Sequence, residues 1–178
     1  MKIYLNGKDI KNLMLFTSKN KARKYLSGIN IKEVSGFVEI VATDGAALMM
    51  YRRKLDPGEE LAPNSSIILK MPKLKIKEKF LLEEVAKGVF SISSLYEKSY
   101  CEVMQATYPN YNAIMPSDLS KLPLASEFTI FRSKLLKKLE AVFFVPGRPK
   151  ANNANTPHFW EKHENGADYL VVLMPCRI

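Results

Sequence analysis

Few side chains in this sequence stand at spacings that could support acid–base, nucleophilic or metal chemistry. His158 and His163 flank Trp160, but they lack the adjacent carboxylate or cysteine pattern of a metal site. Cys101 and Cys176 form neither a metal motif nor a redox pair, and we expect both to be free thiols. No metal and no cofactor is therefore expected.

Asp44 is the acidic residue with the most distinctive context, because Gly45 follows it and apolar runs lie on both sides, at 37–43 and 46–51. No histidine or second carboxylate is placed by a motif to act with it, and the sequence holds no P-loop, nucleophile elbow or zinc motif. An Asp-Gly pair between apolar runs instead predicts a hairpin turn, since glycine accepts positive φ and Asp bonds its own backbone. We predict no catalytic residue and no enzymatic activity.

The chain carries an excess of positive charge that favours polyanionic partners. Its 27 lysines and arginines outnumber 18 acidic residues, for a net charge of +9. Such an excess is typical of proteins that bind nucleic acid or an acidic membrane surface, although a lysine run is also typical of an ordinary solvated face. The basic residues concentrate at 19–24, 70–79 and 132–138.

Short strands and two helices are predicted to position these residues. The length of 178 residues suffices for one or two domains. Apolar spacing predicts strands at 2–6, 23–31, 37–43, 46–51, 66–69, 81–86, 88–94, 99–106 and 128–131. It also predicts a helix capped by Asp9, a helix at 133–144, and a hairpin of 158–162 and 169–177 that turns at Asn165-Gly166. The pattern at 70–80 leaves strand and helix both open.

Nothing in the sequence indicates a membrane span or export. The longest apolar stretches fall far short of the ~20 residues that a spanning helix needs. The N-terminal segment is typical of a strand rather than of a signal sequence. We expect a cytoplasmic protein with no membrane partner.

Four short strings carry a resemblance to one protein family. Residues 25–28 are similar to that family's Y-L-N-G, and 42–45 with Leu48 to its A-T-D-G-H-R-L. Residues 108–111 with Ile114 and Pro116 resemble its F-P-D-Y-x-x-V-L-P, and 172–178 resemble its V-V-M-P-M-R-L. In this order along the chain, the strings resemble the bacterial DNA sliding clamps, the beta subunits of DNA polymerase III.

The resemblance implies an α+β DNA-clamp fold, in which antiparallel sheets carry helices packed on one face. Residues 1–116 resemble a complete clamp domain, the middle one of the family's three. Residues 117–123 are expected to be a linker. Residues 124–178 resemble a truncated second domain, in which the start of the family's last domain runs directly into its C-terminal hairpin. The chain thus looks like a shortened, phage-like or mobile-element-like clamp.

In this family a pocket between the second and third domains receives short linear peptides of polymerases, the clamp loader and repair proteins. An apolar cleft of that kind holds Leu and Phe side chains while backbone groups fix the register. The resemblance assigns the pocket to Leu26, Thr43, Gly45, Leu48, Pro109, Ile114, Val172, Leu173, Met174, Pro175 and Arg177. Ala46-Ala47 and Asn112-Ala113 replace cationic residues of the family, so the rim is expected to prefer different partners.

The resemblance also implies helices that present positive charge to the phosphate backbone of duplex DNA. Such contact is non-specific and salt-sensitive. The candidate DNA-contacting residues are Lys11, Lys24, Tyr25, Lys134, Lys137 and Lys138.

The function expected from the sequence is that of a clamp-like replication processivity factor that binds partner peptides and contacts or encircles duplex DNA, with a homo-oligomer as one possible assembly. A first alternative is a decoy that titrates clamp-binding partners without forming a ring. A second is a basic nucleic-acid-binding or membrane-surface protein unrelated to clamps.

Overall fold

Ten strands form one continuous antiparallel sheet in residues 1–74, 78–125 and 129–176, which the computed structural model describes. The strands are β1 (Lys2–Asn6), β2 (Ile29–Val34), β3 (Phe37–Thr43), β4 (Ala47–Lys54), β5 (Ser66–Lys70), β6 (Lys79–Ala86), β7 (Val89–Ser93), β8 (Lys98–Val103), β9 (His158–Glu164) and β10 (Ala167–Leu173). Two α-helices, α1 (Gly7–Phe16) and α2 (Ser133–Val142), pack on one face of the sheet. Short 3₁₀ turns lie at Lys21–Leu26, Tyr111–Ile114 and Leu119–Lys121.

The order of the strands contains an internal repeat. The sheet runs β1-β6-β7-β8-β5-β2-β3-β4-β10-β9. It therefore contains two equivalent groups of four neighbouring strands, β1-β6-β7-β8 and β5-β2-β3-β4, in which β1 pairs with β6 as β5 pairs with β2. The first repeat is a strand, α1 and three strands. The second repeat, β5 to β8, has the same strand order, but no helix lies in its described connection, residues 71–74 and 78. Residues 75–77, part of the segment at which strand and helix were both open, lie outside the described range.

Helix α1 begins earlier than the sequence indicated. The side chain of Asn6 accepts a hydrogen bond from the N–H of Lys8 at 2.8 Å, so Asn6 and not Asp9 is the N-cap. Asp9 lies inside the helix, where its carboxylate accepts a hydrogen bond from the Tyr169 hydroxyl of β10 at 3.1 Å. Burial raises the pKa of Asp9, an effect that the Tyr169 hydrogen bond only partly offsets. The acidic residue expected to start the helix therefore ties it to the last strand.

Strand β10 joins the C-terminal part of the chain to the first repeat. It pairs with β4 from Ala167↔Arg53 to Leu173↔Ala47, and with β9 on its other edge. The β9–β10 hairpin turns where expected, at Asn165 and Gly166, whose φ angles of 52° and 74° fit a tight two-residue turn. A continuous apolar core includes Ile10 and Phe16 of α1 together with α2 and β10 side chains.

Several strand boundaries differ from the prediction. Residues 21–26 form a 3₁₀ turn rather than the start of a strand, because the Asn20 side chain accepts a hydrogen bond from the N–H of Ala22 at 2.9 Å and caps it. Strand β8 ends at Val103, and residues 129–131 form no strand. The division into 1–116, 117–123 and 124–178 stays a prediction, since the sheet and the core run through both larger segments.

Leu173→Ala should lower the free energy of unfolding by about 2–5 kcal/mol, the usual effect of truncating a fully buried leucine. Leu173 is the last residue of β10 and lies in the main core, so the change leaves a cavity beneath the helices. Urea unfolding with an unchanged m-value is the appropriate measurement. The matched control is Leu95→Ala in the exposed β7–β8 turn, where a change within about 0.5 kcal/mol is expected. Equal effects at the two positions would contradict the placement of β10.

Candidate peptide-binding and DNA-contacting faces

The side chains of β4 and β10 alternate between two faces of the sheet. Met49 and Leu173 point toward α1 and α2, and we call this side the helix face. Leu48 and Val172 are direct cross-strand partners on the opposite side, which we call the outer face. The string at 42–48 and residues 172–174 of the C-terminal string are therefore adjacent in space. The two faces are chemically distinct, and each holds part of the predicted site.

The outer face carries a second apolar cluster, here called the outer cluster. Its members come from four strands and one loop and are Val41, Leu48, Tyr111, Phe159, Leu170 and Val172. Residues 108–122, here called the covering segment, run over this cluster and pack Met115, Leu119 and Leu122 against it. Leu48 is only 3% exposed and Val172 only 1% exposed as a result.

Hydrogen bonds from two tyrosines anchor the start of the covering segment. The Tyr111 hydroxyl donates to the buried carboxylate of Glu39 at 2.5 Å, and the Tyr108 hydroxyl donates to the carbonyl of Val41 at 3.2 Å. Lys32 pairs with Glu39 at 2.9 Å and lies 4.7 Å from the centre of the Tyr111 ring. Burial, with the Glu39 charge adding to it, raises the pKa of Tyr111 far above its ordinary value. The string Tyr108–Tyr111 is thus a fixed attachment of this segment to β3.

The Asp44-Gly45 turn connects the outer face to the helix face. Asp44 Oδ1 accepts hydrogen bonds from the N–H groups of Ala46 and Ala47 at 2.9 and 3.0 Å. Its Oδ2 accepts one from the Lys138 ammonium of α2 at 2.6 Å. Gly45 has φ of 91°, a backbone conformation that L side chains rarely adopt, so the position favours glycine.

The charge on Asp44 is stabilised by these contacts. Burial alone would raise the pKa of Asp44, but the Lys138 hydrogen bond and the two backbone N–H groups outweigh it and hold the pKa below its ordinary value. Lys138 itself is 7% exposed and lies 5.3 Å from the centre of the Phe16 ring. The pair therefore joins the hairpin turn to α2 through a largely desolvated contact.

The residues assigned to the peptide pocket lie at several depths. Leu48 and Val172 form part of the floor of the outer face, while Pro109 and Ile114 are exposed on the covering segment. Met174, whose N–H donates to the carbonyl of Ala46 at 2.9 Å, and Pro175 are half-buried where β10 ends. Thr43 and Gly45 shape the adjacent turn through the hydrogen bond from the Gly45 N–H to the Thr43 hydroxyl at 3.1 Å.

Two assigned residues, Leu173 and Leu26, are not part of this constellation. Leu173 points to the helix face and into the main core. Leu26 is buried at the end of the 3₁₀ turn, where its carbonyl accepts from the N–H of Ser18 at 2.7 Å. Arg177, like Ile178, lies outside the described residues.

The candidate DNA-contacting lysines of the two helices converge on one groove of about 730 Å³ on the helix face. Lys11, Lys134 and Lys137 are exposed on its rim, whereas Lys138 lies in its wall with its charge paired to Asp44. Lys24 lines a separate, shallower depression beside Glu102, and Tyr25 is partly exposed on the same 3₁₀ turn. The structure thus brings together three of the six candidates, Lys11, Lys134 and Lys137, and none of the three forms an ion pair with a described residue.

Sequence reasoning missed residues on both faces. Lys19 and Lys73 also line the helix-face groove, although both belong to the basic segments that the sequence singled out. Leu119 and Leu122 were taken as linker and Met115 as part of the first domain, yet their spacing of four and three residues is a usable sign of an apolar face. The partnership of Glu39 with Tyr111 carries no local sequence signal.

The remaining chemical candidates have structural partners. His158 is buried, and its ring nitrogens lie 3.0 Å from the Thr129 hydroxyl and 2.8 Å from the Thr156 carbonyl. Burial raises the pKa of the free thiol Cys101 to about 11. Among the described residues no group of three or more His, Cys, Asp or Glu is placed to hold a metal ion. No described helix has the length and apolarity to cross a bilayer.

The repeat of strands with helices on one face defines a clamp-type α+β fold, and comparison with solved structures agrees. The whole chain superimposes on a sliding clamp from Bacillus subtilis with a TM-score of 0.69 and 13% identity, covering 64% of that chain. It likewise superimposes on a putative DNA polymerase III beta subunit from Eubacterium rectale, with a TM-score of 0.68, 11% identity and 66% of that chain covered. A Pseudomonas aeruginosa clamp bound to griselimycin gives a TM-score of 0.66 at 13% identity, with 66% covered.

The chain therefore has the fold of the DNA sliding clamps, the DNA polymerase III beta subunits, as the four sequence strings predicted. It spans slightly less than two thirds of the length of these three clamp chains, from 64% to 66%. No family model and no curated protein sequence matches it.

Replacing Asp44 by Asn should lower the free energy of unfolding at pH 7 by about 3 kcal/mol, because Lys138 would keep its buried charge without a counter-charge. The pKa of Asp44 is depressed in the folded protein, so its contribution is complete above the ordinary value near ~4 and is lost as pH falls through the lower folded value. The stability difference between the wild type and Asp44→Asn should therefore shrink below pH ~4. Urea unfolding from pH 7 to about pH 3 measures it.

The control for this prediction is Asp168→Asn, which removes an exposed carboxylate paired only with His163. Exposed pairs contribute little, so a small difference is expected at every pH. A wild-type advantage over Asp44→Asn that stays constant down to pH 3 would show that the Asp44 charge is not its source.

Proposed function

We propose that this protein is a non-catalytic, clamp-like DNA replication processivity factor of the cytoplasm, which binds linear peptide motifs on its outer face and duplex DNA on its helix face. The observation that carries the proposal is the direct pairing of Leu48 with Val172, which brings the Asp-Gly hairpin beside the C-terminal string. Because the chain has the sliding-clamp fold, the proximity of these strings supports the peptide pocket that the resemblance implies. The lysines of the opposite face supply the charge that contact with DNA needs.

Peptide binding on the outer face requires that the covering segment give way. Leu48 and Val172 are the natural floor for an apolar peptide side chain, and Met115, Leu119 and Leu122 now pack against the cluster to which they belong. Only the start of the segment is fixed by tyrosine hydrogen bonds, while its later part holds short 3₁₀ turns. We propose that an incoming peptide replaces these apolar side chains and extends along Met174 and Pro175.

A peptide with a Gln-Leu-x-Leu-Phe-like core should bind at micromolar strength in a fluorescence titration. The double variant Leu119→Ser/Leu122→Ser should bind it several-fold more tightly, because weakening the internal competitor raises the population of the open pocket. Met174→Ala should bind it more weakly, since that half-buried side chain borders the floor.

Leu95→Ser serves as the control, because it makes the same kind of change at an exposed site away from the outer cluster. Binding that is absent, or that Met174→Ala leaves unchanged, would overturn the proposed pocket. Weaker binding by the double serine variant would show that the covering segment forms part of the binding site rather than occupying it.

Contact with DNA is proposed for the exposed lysines of α1 and α2. Lys11, Lys134 and Lys137 share one rim, and no described carboxylate lies within 4.0 Å of their ammonium groups. Lys138 is a weaker candidate, because contact with phosphate would require it to leave Asp44. Binding of this kind is independent of base sequence and falls steeply with salt.

Lys134→Gln/Lys137→Gln should flatten the salt dependence of duplex binding by about 0.9 in log–log slope for every phosphate group that the variant no longer neutralises. Anisotropy titrations at several NaCl concentrations measure the slope. Lys121→Gln removes an exposed lysine from the covering segment on the opposite face and should leave the slope unchanged. Equal slopes for all three proteins would remove the helix face from the proposal.

A decoy that binds partner peptides without forming a ring is the second candidate, and the sheet edges favour it. Strand β4 is paired on both edges within one chain. The outer edges of β1 and β9 are each partly covered by one backbone bridge, at Lys2↔Glu60 and Lys150↔Phe159. Primer extension separates the two functions, since a processivity factor lengthens the products and a decoy shortens them.

A further inference from the structure

We propose that the groove between α1 and α2 binds an acidic, amphipathic helix of a protein partner. The proposal concerns the helix face and does not depend on the peptide pocket of the outer face. It shares lysines with the proposed DNA contact, so the partner would exclude DNA from this surface.

The floor of the groove is apolar. Ile10, Met14 and Leu15 of α1 and Leu74 of the connection after β5 line it. Leu15 is 41% exposed and lies beside the buried Ile10 and half-buried Met14, so it adds accessible apolar surface to the floor. The volume of about 730 Å³ is large enough for several side chains of a partner helix.

The rim of the groove is cationic. Lys11, Lys19, Lys73, Lys134 and Lys137 surround the floor, and all five are exposed. The acidic side chain that lines the groove among the described residues is that of Asp44, which is already paired with Lys138 at 2.6 Å. Five cations for which the described part of the chain supplies no counter-charge, placed around an apolar floor, are complementary to a ligand with an apolar stripe and acidic flanks.

The architecture favours a helix as the shape of that ligand. Both α1 and α2 have ten residues and are about 15 Å long, so a third helix of similar length fits along them. Leu74, in the described part of the connection that follows β5, lines the groove together with Ile10 and Met14 of α1 and extends the apolar floor along that helix. Leucines at i, i+3, i+4 and i+7 would reach the floor, and Glu or Asp on both flanks would meet the lysines.

Duplex DNA alone does not account for these features. A phosphate backbone interacts with the lysines but gains nothing from Leu15 and Met14. Binding of the helix therefore differs from binding of DNA in its dependence on the apolar floor, and this difference makes the proposal testable.

The test uses the full chain and a synthetic, fluorescein-labelled 14-residue helix with leucines on one face and glutamates elsewhere. A scrambled peptide of identical composition keeps the charge but disperses the leucines. We expect the patterned peptide to bind at least about tenfold more tightly than the scrambled one, and unlabelled duplex DNA to displace it. Equal binding of the two peptides would overturn the proposal, because only non-specific charge attraction would then be at work.

Leu15→Lys gives the sharper measurement, since it adds a cation while removing part of the apolar floor. Patterned-peptide binding should weaken about tenfold, whereas duplex binding should stay the same or strengthen. The matched control is Leu136→Lys on α2, a position that is 37% exposed and outside the groove lining. This change should weaken the binding of neither the patterned peptide nor duplex DNA. Both leucines are partly exposed, so circular dichroism should show folded proteins.

Tighter peptide binding by Leu15→Lys would refute the docking of a helix on the floor. Failure of duplex DNA to bind any of these proteins would remove the DNA part of the proposed function and leave the helix proposal to be decided by the peptide alone. Loss of patterned-peptide binding in Lys134→Glu/Lys137→Glu, with unchanged unfolding, is the expected result for the cationic rim.

Discussion

The pairing of β10 with β4 is the interaction on which the rest of the structure depends. Because side chains alternate along a strand, the register that sets Val172 against Leu48 also sends Leu173 and Met49 to the helix face. A slip of one residue would exchange the two apolar sets and expose the core. The same ladder positions α2 beside α1, since α2 packs on the core that β10 completes. Backbone pairing thus determines where both candidate binding surfaces lie.

Asp44 couples these surfaces through a single carboxylate. One oxygen closes the β3–β4 turn beside the outer cluster, and the other holds α2 through Lys138. A hydrogen-bonded ion pair in a mostly desolvated site resists separation, because either charge left alone would be costly to bury. The turn is therefore in direct contact with the helix that carries Lys134 and Lys137. The residue that sequence reasoning treated only as part of a turn is a structural link between the two faces.

The sequence predicted best what depends on neighbouring residues. The turns at Asp44-Gly45 and Asn165-Gly166 and the body of α2 carry local signals, and the structure contains all three. The resemblance of the four strings correctly predicted the clamp fold. Long-range contacts were invisible, so neither the burial of Leu48 by the covering segment nor the pairing of Lys138 with Asp44 was expected. The role of Asp9 was misjudged for the same reason, because its partner, Tyr169, lies 160 residues away.

The two faces differ in the forces available to a ligand. On the outer face, the proposed binding would replace contacts that the protein already makes with itself, so affinity would be set by the difference between the covering segment and the incoming peptide. The attachment at Tyr108 and Tyr111 lies upstream of Met115, so the proposed exchange would leave it in place. On the helix face, no described carboxylate pairs with Lys11, Lys134 or Lys137, so the proposed ligand would displace water and ions rather than protein contacts. Association there would depend strongly on salt, while the apolar floor beneath the lysines would add apolar contacts only for a polyanion that has an apolar face.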